Sequence, residues 1–408
     1  MKFIQFGCWN EFTCNKSTPK SNPVSAVMSK LDKVAGDVDF IIVSGDNYYP
    51  PKEVTKFKKG STYNGVVLES DLKIKRKKIY TNDIIAGFEC LPKNVEVNVI
   101  LGNHDLESQK KDVLYLENGE LEQPGACTIL NTERGASSAN PNFNFGLYIS
   151  KYDEISKTMV LMLDTSMYSV DDVDEMVTCY QHLIERKPDQ SDADYIEHIR
   201  TSQFEVIAAD IAKYKEAGGI ANLIISGHHP ISGYKLKLSE DKQKFVVLGD
   251  DLGPFIETLS KIYTIAGGND VNYYYLCADL HLYQQGTVKI QVDDVNEMVI
   301  KQYIVGTGGT ELDPNPFSVK PVSVIDKPII GDKHRYIMSE EDIKVSTENY
   351  GHGFLLCEMN DMVPEFAFNL VLQTGGGRRK RTTSKRKRTT RRKRTASRRN
   401  RSTRKSTS

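Results

Sequence analysis

Five short segments of this chain carry side chains of the kinds that hold cations. They are Cys8-Trp9-Asn10, Asp46-Asn47-Tyr48-Tyr49, Asn103-His104-Asp105, His228-His229-Pro230 and Asp279-Leu280-His281. Four of the eight histidines of the chain fall in these few positions. Carboxylate and amide oxygens are hard donors, imidazole is borderline and thiolate is soft. A mixed set of this kind suits transition-metal ions.

Each segment follows a short apolar run. Residues 3–6 run into Gly7, 38–43 (VDFIIV) into Ser44-Gly45-Asp46, and 95–101 (VEVNVIL) into Gly102-Asn103. Residues 158–163 (TMVLML) run into Asp164-Thr165, 222–225 into Ser226-Gly227-His228, and 273–277 into Ala278-Asp279. These β-branched and aromatic runs read as buried strands. Between them lie helical patterns: apolar residues at 24, 27, 28, 31 and 34, and at 204, 207, 208, 211 and 214. Thr201 or Ser202 is the expected N-cap of the second. Alternating strands and helices define an α/β sheet, and ligands of such sheets bind outside the carboxyl ends of the strands. From Ile290 onward, segments 297–305, 353–358 and 365–372 read as antiparallel strands without intervening helices. Segments 50–78 and 108–144 fit neither pattern and read as surface insertions.

The blocks GDNYY (45–49), GNHD (102–105) and GHHP (227–230), in this order, resemble those of the calcineurin-like metallophosphoesterases, and within them the purple acid phosphatase branch. Leu163-Asp164-Thr165, VGTGG (305–309) and YGHGF (350–354) add softer matches. The resemblance spans roughly residues 1–372. It implies an α/β fold: a metallophosphoesterase-type β-sandwich of mixed sheets flanked by helices, in four layers, α/β/β/α. It also implies two metal ions (Fe, Zn or Mn). Asp46 would bridge them, Tyr49 and His281 would complete the first site, and Asn103 and His228 would ligate the second. His104, held by Asp105, would be the acid at the leaving oxygen, and His229 would contact substrate phosphate. Two positions depart from the family pattern. Cys8 stands where the first block has Asp, with Asn10 at the DxH histidine, and Asp279 stands where the last block has its first His. Both Cys8 and Asp279 can ligate metal. The alternatives are a buried small hydrophobe at Cys8 and a carboxylate bonded to a backbone amide at Asp279. Two cations about 3.5–4 Å apart clamp phosphoryl oxygens and bring the pKa of a bound water towards 7. The implied reaction is therefore hydrolysis of a phosphate mono- or diester by a metal-bound hydroxide, with no phospho-enzyme.

The composition, 39% hydrophobic and 26% charged, excludes collagen-like, disulfide-scaffold and wholly disordered chains. No apolar run reaches the ~18 residues of a membrane span, and no membrane partner is expected. The zero net charge hides an asymmetry. Of the 54 Lys and Arg, 17 lie in 378–408, which has no Asp or Glu, so residues 1–377 carry 37 basic against 54 acidic residues. The expected division is a metallophosphoesterase domain over 1–374 and a disordered basic tail over 375–408. The tail clusters are Arg378, Arg379, Lys380 and Arg381; Lys385, Arg386, Lys387 and Arg388; and Arg391, Arg392, Lys393 and Arg394. They suit nucleic acid or another polyanion, and nuclear import. An odd, scattered set of seven cysteines with no CxxC reads as a reducing compartment without a disulfide framework. With no secretory leader in the opening residues, an intracellular setting is expected, cytoplasm or nucleus. The tail also resembles those on some core proteins of large DNA viruses, which makes the virion another setting. Two further functions remain open: an impaired phosphoesterase-fold component that packages nucleic acid, and a nuclease.

Overall fold

The computed structural model describes residues 1–49, 52–60, 62–63, 66–67, 72–79, 81–106, 114–115, 142–168, 173–181, 183–238, 244–248, 252–318, 325–328, 334–360 and 362–373. The elements of the N-terminal half are β1 (Lys2–Phe6), α1 (Pro23–Val34), β2 (Phe40–Ser44), β3 (Lys52–Phe57), β4 (Thr62–Tyr63), β5 (Val66–Val67), β6 (Leu72–Ile79), α2 (Thr81–Glu89), β7 (Glu96–Ile100), α3 (Asn103–Leu106), β8 (Leu114–Tyr115) and β9 (Phe143–Phe145). There follow β10 (Tyr148–Asp153), β11 (Thr158–Leu163), α4 (Val173–Tyr180), α5 (Asp192–Ala217), β12 (Asn222–Ser226), β13 (Tyr234–Leu238), β14 (Lys244–Leu248), α6 (Gly253–Ala266) and β15 (Asn272–Cys277). The last are β16 (Tyr283–Gln291), β17 (Glu297–Val305), β18 (Ile325–Pro328), β19 (His334–Met338), α7 (Glu340–Glu348), β20 (Gly351–Asn360) and β21 (Val363–Gln373).

Side-chain alternation along the strands divides the apolar residues into two sets. Phe3, Phe40 and Ile42 join Val160, Met162 and Ile224 in one cluster between two sheets. Their neighbours Ile4, Ile41, Val43, Leu161 and Leu163 fall in the other cluster, with helix residues such as Val27, Leu31, Ile207 and Ile211. The first sheet has the order β21-β20-β1-β2-β7-β9, with β1, β2, β7 and β9 parallel. The second has the order β10-β11-β12-β15-β17-β16-β19-β18, with β11, β12, β15 and β17 parallel. The protein is thus α/β, two mixed sheets flanked by helices. The parallel strands of both sheets put their carboxyl ends at the segments singled out above.

Several expectations are corrected. Helix α5 starts at Asp192, ten residues early, because Ser191 is its N-cap and accepts from the Asp194 N–H. Thr201 and Ser202 lie inside it. Helix α7, closed by a Ser339–Asp342 capping box, interrupts the late strands. Residues 143 and 144, expected at the end of an insertion, belong to strand β9 of the first sheet. Within 50–78, β3 pairs antiparallel with β6, outside both main sheets. The cysteine reading fails too. Cys14 and Cys90 form a disulfide across 76 residues of chain, and Cys179 is disulfide-bonded as well. The fold brings the loop after β1 against the end of α2, a contact that local spacing does not reveal. Such bonds persist in oxidising surroundings, against the reducing compartment expected from the cysteine spacing. Among the described residues no helix is long and apolar enough to cross a membrane. Residues 374–408, with all the tail clusters, lie outside the described residues.

Candidate metal centre

The strands end abruptly where backbones turn left-handed. Cys8, Asn10, Asp46 and Asp279 have φ of 52°, 57°, 54° and 53°, four of the six such non-glycine residues described. Residues held in this region cost about 1–3 kcal/mol each and persist where surroundings over-determine them. Here the loops bind one another. Cys8 N–H donates to Gly45 O at 3.1 Å, Trp9 N–H to Asp46 O at 3.2 Å, and Ala278 N–H to His228 O at 2.8 Å. Buried Trp9 wedges edge-on against Phe6 and Phe88, its indole N–H bonded to Asn47 Oδ1 at 3.3 Å.

The Asp46 carboxylate, fully buried, faces two groups of donors. Its Oδ2 lies 2.6 Å from the Tyr49 hydroxyl and 3.7 Å from Cys8 Sγ, and the Tyr49 oxygen lies 3.1 Å from His281 Nε2. Its Oδ1 lies 3.2 Å from His228 Nε2, which is 3.0 Å from Asn103 Oδ1 and 3.8 Å from Asp279 Oδ1. Asp46 Oδ1 also accepts the His104 backbone N–H at 3.0 Å, and the His104 ring packs on Tyr49 with centroids 4.6 Å apart. Donor atoms of Cys8, Asp46 and His228 lie within 4.8 Å of one another, as do those of His228, His229 and Asp279.

Both central histidines are held in one tautomer. His228 Nδ1–H donates to Ser44 O at 2.7 Å, and His281 Nδ1–H to Glu311 O at 2.9 Å. Each therefore turns Nε2 towards the centre, the arrangement that orients imidazole ligands. Two acceptor oxygens, Asp46 Oδ1 and Asn103 Oδ1, lie within hydrogen-bond distance of His228 Nε2. Around His281 Nε2 stands a phenol whose proton goes to Asp46. Acceptors facing acceptors require a positive charge between them. At His228 a proton supplies it when no metal is bound. Burial opposes a charged His228, but Asp46, through charge and hydrogen bond, then Asp279 and the Ser44 carbonyl, overcome burial and raise the ring to about 9. Burial likewise opposes ionised Asp46, yet the charges of His228 and His104 hold its carboxyl well below the usual range. Burial and then Asp46 push the Cys8 thiol and the Tyr49 phenol up. The donor types and their orientation suit a metal ion in place of the proton.

Glycines let the loops approach this closely. A Cβ on Gly45 would lie 2.6 Å from His228 Nδ1, and one on Gly102 would lie 2.7 Å from His228 Cε1. Asp105 knots two loops, accepting from Asn47 N–H at 3.0 Å, Asn47 Nδ2 at 2.8 Å and Gly102 N–H at 2.8 Å. Burial and then Asp46 raise its carboxyl to about 7.

All ten candidate residues outside the tail thus gather around the ends of the parallel strands: Cys8, Asp46, Tyr49, Asn103, His104, Asp105, His228, His229 and Asp279, with His281 opposite Tyr49. Sequence reasoning missed Thr165. Its Oγ1 accepts the backbone N–H of His228 at 3.0 Å and of His229 at 3.1 Å, and meets His229 Nδ1 at 3.2 Å. It missed Asn47 as well, though both sit inside blocks it had singled out. His352, buried on β20, has its pKa lowered to about 4 by burial and then by the charge of His281.

No family model and no curated protein matches the chain. Among solved structures, one titled "Structure of PhoD" aligns with 91% of this chain and 68% of that chain, at 11% identity and a TM-score of 0.39.

Proposed function

We propose that this protein hydrolyses phosphate esters with a pair of metal ions held around Asp46. The observation that carries the proposal is the two-faced Asp46 carboxylate, one oxygen among Cys8, Tyr49 and His281, the other among Asn103, His228 and Asp279. Two cations in such a pair activate water and neutralise phosphoryl charge when bound. The chain does the rest. Asp46 sets the spacing of the two donor groups. Ser44 and Glu311 carbonyls keep the imidazoles turned inwards. His104, anchored by its backbone to Asp46, donates a proton to the leaving oxygen, so that ester and water become phosphate and alcohol. His229, placed by Thr165 beside Asp279, binds substrate phosphate. The purple acid phosphatase-like character, with Fe, Zn or Mn as the metals, belongs to the same proposal.

The basic tail would hold the enzyme on nucleic acid. A second reading, a phosphoesterase fold with an impaired centre serving as a nucleic-acid-packaging component, is favoured by Cys8 and Asp279 at ligand positions. One preparation assayed on an aryl phosphate, an aryl phosphodiester and DNA, with metal analysis, separates these readings. The proposal expects aryl ester turnover that Asp46→Asn and His104→Ala each abolish almost completely. Full activity in both variants would overturn it.

A further inference from the structure

We infer that Cys8 is a thiolate ligand, and that it makes its side of the centre selective for a borderline ion of the zinc class over hard ions such as magnesium or manganese. This rests on the metal-pair reading above and deepens it. Three observations carry it. The first is position. Cys8 is completely buried but belongs to neither apolar cluster of the described residues, whereas the other two free cysteines among them, Cys277 and Cys357, each pack within one. A cysteine serving as a small hydrophobe sits among hydrocarbon; Cys8 sits against a carboxylate and a phenol.

The second is spacing. Zinc bonds of about 2.3 Å to sulfur and about 2.0 Å to oxygen, at a tetrahedral angle, place sulfur and oxygen about 3.5 Å apart. Cys8 Sγ and Asp46 Oδ2 are 3.7 Å apart. The corresponding nitrogen–oxygen edge is about 3.3 Å, and His228 Nε2 stands 3.2 Å from Asp46 Oδ1. The third is the backbone. A left-handed φ of 52° at a residue with a Cβ is unfavourable, and Cys8 keeps it with its Sγ beside Asp46 Oδ2. On binding, the Sγ–H bond breaks, its proton leaves to solvent and the sulfur–metal bond forms; no oxidant is needed.

Cobalt(II) added to the metal-depleted full-length protein tests this, because thiolate ligation produces an intense near-ultraviolet sulfur-to-cobalt charge-transfer band. The expected result is a band that saturates at one equivalent of thiolate-bound cobalt and is displaced by zinc. It should vanish in Cys8→Ser and Cys8→Asp and survive in Cys277→Ser and Cys357→Ser. Cys8→Ser should also bind zinc roughly 100-fold more weakly, at the upper end of what disturbing a metal site costs, while Cys8→Asp, restoring an oxygen donor, binds manganese more tightly than the wild type. Cobalt bound with no such band, or a band persisting in both Cys8 variants, overturns thiolate ligation and leaves the hydrolytic proposal standing. Failure of the wild type to bind any cobalt or zinc overturns both. Circular dichroism melts of the two Cys8 variants show whether lost binding is lost folding: a wild-type melt with lost band supports ligation.

Discussion

Replacing Gly102 by Ala tests whether the close approach of the loops is what makes the centre. Gly102 is not a ligand, and its backbone is not left-handed, so alanine suits its conformation. Only space forbids it. The added Cβ would lie 2.7 Å from His228 Cε1, against ordinary contacts of 3.4–4 Å, and would press on the backbone nitrogen and Oδ1 of Asp46. One side must yield by about 1 Å. His228 is held by Ser44 O and Asp46 by Tyr49, so neither moves without breaking a bond at 2.7 or 2.6 Å. Overpacking of this kind costs about 1–3 kcal/mol, too little to unfold a domain of this size. A 1 Å displacement of catalytic groups costs on the order of 100-fold in rate. Gly102→Ala is therefore expected to melt a few degrees lower, to lose much of its bound metal, and to fall about 100-fold in kcat/KM on an aryl phosphate. Gly36→Ala is the control. Its Cβ would meet nothing nearer than Asn94 Nδ2 at 3.7 Å, and it should leave metal content and rate unchanged. A Gly102→Ala protein with wild-type metal content and kcat/KM would refute the reasoning.

Three other predictions follow from the same geometry. In the metal-depleted protein, His228 is raised from the ordinary 6.5 to about 9; its contribution is complete below pH 6.5 and is lost as pH climbs through 9. Urea unfolding should show stability falling by on the order of 3 kcal/mol across that window, and His228→Gln should flatten the slope; an unchanged slope in the variant contradicts the assignment. Cys14→Ala with Cys90→Ala opens a 76-residue separation, and chain entropy gives a loss of about 4 kcal/mol, read by urea unfolding; equal stability with and without reductant would be the contrary result. Deleting 375–408 should remove salt-sensitive binding to duplex DNA while leaving aryl ester turnover unchanged; equal low-salt binding by both forms would show that the tail is not the contact.

The parts of this fold that depend on local pattern were readable from the residues. Apolar runs ending in Gly-Asp, Gly-Asn and Gly-His gave strands and ligand loops together, because a buried parallel strand needs a continuous apolar run and its end needs a sharp turn. The missed features depend on partners distant in sequence. Cys14 and Cys90 pair only once α2 packs beside the loop after β1. Thr165 acquires its role from β12, which lies beside β11 in the sheet. The early start of α5 was legible in principle: Ser191 and Asp194 form a capping pair, and Tyr195, Ile196 and Ile199 extend the helical spacing backwards. Asp105 illustrates a role that sequence left too narrow. Beyond the expected hold on His104, its carboxylate oxygens accept three hydrogen bonds from Asn47 and Gly102, which fix two loops in register.

The most direct measurement is anomalous diffraction from crystals grown with zinc or manganese. The account predicts two peaks about 3.5–4 Å apart on either side of the Asp46 carboxylate, one beside Cys8, Tyr49 and His281 and one beside Asn103, His228 and Asp279. Metal-soaked crystals with no peak at Asp46, or with peaks only at surface carboxylates, would contradict it.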